Sequence, residues 1–517
     1  MTRKKSDEIT FGESWISIEE IIKIASTKNP VKLNSGASYQ AKIKRGVEFL
    51  ENLLAEKGVI YGVTTGYGDS CTIDVPFNLI DELSLHLTRF HGCGLGNNFT
   101  HEQVRAIMAV RLCTLAQGYS GVSLTLLDQI ITLLNHDVSP VIPEEGSVGA
   151  SGDLTPLSYL AAVLIGERKV TYQGKEQKTE TVFKKLNIKP ITLKPKEALA
   201  LMNGTAVMTA LACGAFSRTE YLCRLAARLT AMTSIALKGN AYHFDKNLFA
   251  VKPHPGQMQI AAWIRSDLRA KKMLKNEDRI QDRYSLRCAP HVIGVTQDSL
   301  GWFRQLIENE LNSTNDNPVI DGEKKLILHG GHFYGGHIAT VMDTMKTQVA
   351  NLADLADRQM AQLMDTKFNK GLPPNLSASS EKRASINHGF KAVQIGVSSW
   401  TAEALKNTMP VSVFSRSTEC HNQDKVSMGT IAARDCLRVL TLTEQVFAAH
   451  LLATTQAIQL RIQQNEVEST HLSQPILNMM DDILKEFDMV IEDRPLEMDL
   501  RKFLNKIQQQ SWALYEK

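Results

Sequence analysis

The sequence predicts a mainly α-helical protein, with a smaller N-terminal part followed by a long helical bundle. Three observations carry this. No glycine or proline occurs from Ile338 to Lys370, or from Thr430 to Gln474. Stretches of that length exceed the usual globular helix and point to a bundle. Val341, Met345, Val349, Leu352, Leu355, Gln359 and Leu363 trace one largely apolar stripe at spacings of three and four, the period of a helix face packed in a core. The character of the chain also changes near residue 215, from mixed short elements to long helices. The expected division is therefore 1–215 and 216–517.

Taken in order, Ile16 to Leu54 has helical periodicity and stops at Gly58. Val59 to Gly68 reads as a short β-like run ending in glycines. Helical periodicity returns from Leu79 to Thr88, and from Glu102 to Leu134 with a break near Gly118 to Gly121. Pro140 and Pro143 interrupt the chain, and Pro156 to Ile165 opens a new apolar helix. Val170-Thr-Tyr-Gln-Gly-Lys175 reads as a small hairpin. Lys196 to Leu237 is mostly helical, with interruptions expected at Gly204 and Gly214. No internal repeat or low-complexity linker is present.

Composition excludes several classes. The chain has 517 residues, 43% hydrophobic and 22% charged, which fits a globular protein of two to four domains or one large helical unit. A net charge of +3, spread along the chain, does not argue for a nucleic-acid partner. Arg3-Lys4-Lys5 reads as a solvated terminus. The eight cysteines form no C-x-x-C pair, as expected of a reduced chain. With no apolar signal core at the start and no apolar run judged long enough for a bilayer, a cytoplasmic protein without a membrane partner is expected.

The stretch richest in chemistry is Gly146-Ser-Val-Gly-Ala-Ser-Gly-Asp153. In a tight enough turn, the Gly152 nitrogen can reach the Ala150 carbonyl carbon. Ring closure and loss of two waters then turn the Ser151 side chain into an exocyclic methylidene. The product is 4-methylidene-imidazol-5-one (MIO), a built-in electrophile of a kind no natural side chain supplies. Gly149 and Gly152 permit the backbone angles such a turn demands. The tripeptide alone also reads as a flexible loop. Tyr61, in a second glycine-rich run, is either a packing tyrosine or a general base whose pKa its neighbours have lowered. That run lacks the Gly-Lys-Ser/Thr ending of a phosphate loop. His329, His332 and His337 have no nearby carboxylate or cysteine to complete a metal set, so no metal is expected.

Six segments then occur in order: Tyr61-Gly-Val-Thr-Thr-Gly-Tyr-Gly68, Gly149-Ala-Ser-Gly-Asp-Leu154, Leu201-Met-Asn-Gly-Thr205, Gln281-Asp-Arg-Tyr-Ser-Leu-Arg287, Asn315-Asp-Asn-Pro318 and His421-Asn-Gln-Asp424. Together they resemble the aromatic amino acid ammonia-lyase family, which includes histidine, phenylalanine and tyrosine lyases and related 2,3-aminomutases. The resemblance covers nearly the whole chain. It implies a histidine ammonia-lyase-like fold and an MIO group formed from Ala150, Ser151 and Gly152. It also implies a homotetramer with active sites shared between subunits and a small aromatic amino acid as substrate. By resemblance, Tyr61 would take the β-proton and Asn203 would hydrogen-bond the ring carbonyl. Arg287 would clamp the substrate carboxylate through a planar fork. Gln281 and Tyr284 would line the carboxylate and amine region, Phe333 would pack near the ring, and Glu419 would sit close to the amine.

Selectivity is expected at Phe90-His91. Family phenylalanine lyases tend to pair an aromatic with an aliphatic residue there, while histidine lyases and some tyrosine lyases have histidine second. A histidine at the end of the pocket pairs with a phenol or an imidazole and is left unpaired by a bare phenyl ring. Histidine lyases carry an acid where this chain has Gln423. These features favour L-tyrosine to 4-coumarate. Histidine to urocanate, phenylalanine to cinnamate and a 2,3-aminomutase stay open. A further alternative is an inactive lyase-like scaffold, against which the intact Tyr61, Ala150-Ser151-Gly152, Asn203 and Arg287 argue. Glu381-Lys-Arg383 departs from the small-residue loop of relatives and is expected on the surface.

Overall fold

The computed structural model describes residues 8–12, 14–26, 29–268, 279–469 and 472–515. Arg3-Lys4-Lys5 lies outside them. The chain forms two compact units. The first comprises Met1–Ser217, Arg304–Asp343 and Pro410–Arg434; the second comprises Arg218–Phe303, Thr344–Met409 and Asp435–Lys517. The expected division at 215 lies two residues from the first crossing at 217/218, but the second part is not continuous, because two later segments return to the first unit. The crossings at 217/218, 303/304, 343/344 and 434/435 fall inside the helices Ala206–Ala236, Ala289–Leu311, Gly336–Met364 and Gly429–Gln463.

The first unit is built on short helices. Ile18–Ser26 buries Ile18, Ile21 and Ile24 against His101–Leu115. That second helix is buried from Val104 to Leu115, and its start is fixed by a capping box between Thr100 and Gln103. Leu124–Asn135 follows, capped by Ser123. The break expected between these helices occurs where Gly118 and Gly121 take left-handed angles, φ +80° and +64°. Small sheets tie the loops. Ile9–Phe11 pairs in parallel with Val31–Leu33, and Leu95–Asn98 is antiparallel to Pro143–Glu145. The expected hairpin is Lys169–Tyr172 with Lys175–Lys178, and Ser139–Pro140 adds a third strand.

Three sequence expectations are corrected. Ile16 to Leu54 is not one helix: Val31–Leu33 is a strand following Pro30, and the next helix is Ala37–Ala55. Val59 to Gly68 is not a strand. Val63 and Thr64 donate back to the Ile60 carbonyl at 3.1 and 2.9 Å, and Gly62 and Gly68 are left-handed, so the apolar run coils into turns. Gly214 does not interrupt Ala206–Ala236, where its missing side chain leaves open space.

In the second unit the long helices hold the core. All seven stripe residues from Val341 to Leu363 are buried, Val341 in the first unit and the other six in the second. The polar one, Gln359, donates to the Thr230 hydroxyl at 2.9 Å and the Ser285 carbonyl at 2.8 Å. Arg461, fully buried, donates to the Ala236 and Lys370 carbonyls at 2.9 and 3.0 Å. Phe390 meets Phe487 and Phe487 meets Phe503 edge-on at centroid spacings of 6.4 and 6.5 Å, and Phe503 lies parallel to Trp512 at 6.4 Å. Arg383 of the charged run is exposed and pairs with Glu492 at 2.5 Å. One helix, Gly429–Gln463, has an 18-residue window apolar enough to cross a bilayer, which corrects the expectation that no run reaches that mark. That window is 78% buried inside the protein, as a core helix is.

Candidate active site

The Ala150–Ser151–Gly152 turn is gripped on both sides. Before it, Met428 and Ser427 donate backbone N–H groups to the Val148 and Gly149 carbonyls at 2.9 and 3.2 Å. After it, Gly152 bridges Gly204, and Asp153 N–H donates to the Gly204 carbonyl at 2.8 Å. Gly149 and Gly152 are left-handed, φ +65° and +72°. A methyl on Gly152 would lie 2.1 Å from the Gly204 oxygen, and one on Gly149 would lie 2.3 Å from Ser427 Oγ. The sequence places glycine where only glycine fits. The result is a short turn compressed between fixed backbones, the setting an intrachain ring closure needs.

Asp153 anchors this grip. Its carboxylate is fully buried at the start of Ala206–Ala236, where it accepts from the Val207 and Met208 N–H groups at 3.0 Å each. Those donors are among the unpaired amides of a helix N-terminus. The other oxygen accepts from the Ser147 hydroxyl at 2.9 Å and from the Thr430 hydroxyl. Burial holds the Asp153 pKa above the ordinary carboxylate range, and these four hydrogen bonds oppose that rise without cancelling it. Composition gave no sign of this role.

From Ser151 a ring of contacts closes on itself. Gln423 Nε2 donates to Ser151 Oγ at 3.3 Å. Gln423 pairs with Thr418 through two backbone bonds, and Thr418 is followed by Glu419. The Glu419 carboxylate accepts from Asp69 N–H at 2.9 Å and lies so close to Gly68 that a methyl there would meet it at 2.3 Å. Gly68 N–H donates to the Tyr61 hydroxyl at 2.8 Å. The Tyr61 ring meets the His329 ring edge-on at 6.5 Å. Gly330 N–H donates to Asn317 Oδ1 at 2.9 Å, and the Asn317 carbonyl accepts from Asn203 Nδ2 at 2.8 Å. Asn203 precedes Gly204, which returns the ring to Gly152.

Asn203 was expected as a donor to the ring carbonyl. Its Nδ2 faces the Asn317 carbonyl and, at 3.4 Å, Asp316 Oδ1, so its donors are occupied and Oδ1 is buried without a partner. Asp316 is itself held by Lys196 at 2.5 Å, both fully buried. Arg111, also fully buried, donates to the Asn315 and Asn203 carbonyls at 3.1 and 3.2 Å.

Tyr61 has a pKa above the ordinary phenol range, not below it as a base requires. Burial is the main cause; the Gly68 N–H opposes it, and the Glu419 and Cys71 charges add to it. Tyr67 was missed in the sequence as a site residue. Its hydroxyl is buried without a partner and its ring packs on Gly62. Glu419, Cys420 and His421 are three consecutive non-glycine residues with left-handed φ of 52°, 52° and 64°. Strained turns of this kind concentrate at functional sites.

Phe90 and His91 end the helix Ile80–Phe90, with ring centroids 4.2 Å apart. His91 Nδ1 lies 3.1 Å from the Leu87 carbonyl, so that nitrogen carries the proton. Burial, the leading cause, lowers the His91 pKa and keeps the ring neutral. Nε2 is then an acceptor. Phe333 sits half-buried in the turn before Gly336–Met364. Gln281, Tyr284 and Arg287 belong to the second unit. Arg287 lies over the Tyr284 ring at 4.7 Å, and its Nε has no hydrogen-bond partner. Among the described residues, no three His, Cys, Asp or Glu side chains gather as a metal set.

Residues 16–483 match the family described as aromatic amino acid lyase. The chain is 37% identical over 465 residues to a histidine ammonia-lyase of Mus musculus, covering 88% of this chain and 70% of that protein. It is 35% identical to a histidine ammonia-lyase of Geobacillus, covering 91% and 92%. Among solved structures it is similar to the tyrosine aminomutase from Streptomyces globisporus, with a TM-score of 0.90, 31% identity, and 98% and 97% of the two chains covered.

Proposed function

This chain belongs to the aromatic amino acid lyase family and is a carbon–nitrogen lyase, and we propose that it eliminates ammonia from L-tyrosine to give 4-coumarate. The observation that carries the substrate reading is His91. Its Nδ1 proton is committed to the Leu87 carbonyl, and the neutral ring offers Nε2 as an acceptor. A phenol O–H can donate to it, and a bare phenyl ring cannot. Gln423, where histidine lyases carry an acid, supports tyrosine over histidine.

The residues of the gripped turn fit an MIO group built from Ala150, Ser151 and Gly152, which would supply the electrophile that makes the substrate nitrogen a leaving group. Around it, Gln423 would orient the Ser151 position, and Tyr61 would take the β-proton at its phenolic oxygen. The Gly68 N–H would stabilise the phenolate. The ordinary charges near Tyr61 oppose its ionisation, so a positive group must arrive with substrate or from a neighbouring subunit. The open acceptor Asn203 Oδ1 would take a substrate donor. Glu419 would sit near the amine, and Phe333 would pack near the ring. Gln281, Tyr284 and Arg287 would hold the carboxylate, in a homotetramer with shared active sites in which Tyr61 and Arg287 need not come from the same chain. All eight cysteines are free, which supports a cytoplasmic enzyme.

A second reading, L-histidine to urocanate, is favoured by the named relatives, and an imidazole N–H could also donate to His91. Ultraviolet assays with L-tyrosine, L-phenylalanine and L-histidine in parallel separate the readings. The 4-coumarate band is expected to grow fastest. Growth of the urocanate or cinnamate band alone would replace tyrosine. Formation of a β-amino acid without released ammonia would make the chain an aminomutase.

A further inference from the structure

Thr205, next to Gly204, stands between two oxygens. Its hydroxyl lies 2.6 Å from Glu310 Oε1 and 2.6 Å from Asn315 Oδ1. The Asn315 amide cannot be turned round. Its Nδ2 faces the Glu310 carbonyl at 3.2 Å, the Ser313 carbonyl at 3.4 Å and the Ser313 hydroxyl at 2.8 Å, where the two carbonyls require a donor. Oδ1 therefore faces Thr205 and can only accept. A hydroxyl has one proton and can donate it fully to one partner. If Glu310 were ionised, one of the two contacts would set lone pair against lone pair at 2.6 Å.

The count closes only if Glu310 brings a proton of its own. We propose that Glu310 is a neutral carboxylic acid and a positioning residue: it donates to Thr205 Oγ1, Thr205 donates on to Asn315 Oδ1, and this chain fixes Gly204 behind the Ala150–Ser151–Gly152 turn. The surroundings agree. Burial is the largest influence on Glu310 and raises its pKa, and the Asp153 charge acts in the same direction. The Thr205 hydrogen bond and His337, at the start of Gly336–Met364, oppose them. The same Asn-Asp-Asn-Pro run thus holds the 196–205 segment at three points: Asn315 on Thr205, Asp316 on Lys196, and Asn317 on Asn203.

The test is an infrared difference spectrum at pH 7 of full-length wild type minus Glu310→Gln. A carbonyl-stretch band of a neutral carboxylic acid is expected in wild type and missing from the variant. Its absence from wild type would overturn the proposal. In Thr205→Val the same band should move to higher frequency, because the acid loses its acceptor; an unmoved band would also overturn it. This second variant decides the matter if Glu310→Gln does not fold. Glu310→Gln should keep kcat within about threefold, its amide N–H donating in place of the acid. Glu310→Ala should lower kcat by about tenfold or more, roughly the value of one such hydrogen bond. A Gln variant as poor as the Ala variant would contradict the positioning role. The infrared band needs no turnover, so it stands apart from any failure of the substrate reading.

Discussion

The Gly68 N–H donates to the Tyr61 phenolic oxygen at 2.8 Å, while the Glu419 carboxylate lies against the same glycine and accepts from Asp69. One backbone segment therefore brings Tyr61 a donor that favours its phenolate and an acid that disfavours it. If Tyr61 must lose its proton to act, the rising limb of kcat/KM with pH reports its pKa in the free enzyme. Glu419→Gln removes a negative charge, lowers that pKa, and should move the limb to lower pH. An unmoved limb would separate Glu419 from Tyr61.

Gly152→Ala should be severe. The added methyl meets the Gly204 oxygen at 2.1 Å, and the φ of +72° is strained for alanine. A cost of about 1–3 kcal/mol from overpacking is expected, with the turn pushed out of its compressed shape. Melting temperature measures the first effect. Loss of deamination in whatever protein folds measures the second.

Asp153→Ala strands four donors that share one carboxylate and should cost at least about 3 kcal/mol. Asp153→Asn should cost less, because its oxygen can still face the Val207 and Met208 N–H groups while the Ser147 and Thr430 hydroxyls turn to accept from its amide. Chemical denaturation should rank the stabilities as wild type, Asn, Ala. Equal values for the two variants would contradict the anchor role.

His91→Leu removes the acceptor proposed for the phenol. The ratio of kcat/KM for tyrosine over phenylalanine should fall by on the order of tenfold or more. A ratio that stays put would place selectivity elsewhere.

Cys420 is exposed and left-handed at φ 52°. Cys420→Gly should relieve strain worth roughly 1 kcal/mol, partly offset by the freer unfolded chain. The melting temperature should rise or hold. A clear fall would show that the cysteine side chain itself supports the turn.

The helical class and the tight glycine turn around Ser151 were legible because each rests on a local pattern. The stripe from Val341 to Leu363 has the helix period, and the glycines at 149 and 152 mark a turn that no other residue fits. What was not legible depends on contacts between distant segments. Val59 to Gly68 reads as a short β-like run, but left-handed Gly62 and Gly68 and the Thr64 bond to Ile60 coil it. Nothing local in 410–434 says that it returns to the first unit to place Gln423 on Ser151. The orientation of the Asn203 amide, expected toward the ring carbonyl, is set instead by the distant Asn317 carbonyl. The charge state of Glu310 follows only from counting protons around Thr205.

The central claim, that this chain makes its own electrophile at Ser151, is tested most directly by the intact mass of the purified protein. The account predicts a chain lighter than its sequence by two waters, with Ser151→Ala lacking that loss and inactive in deamination. A wild-type chain at its full sequence mass that still releases ammonia would contradict it.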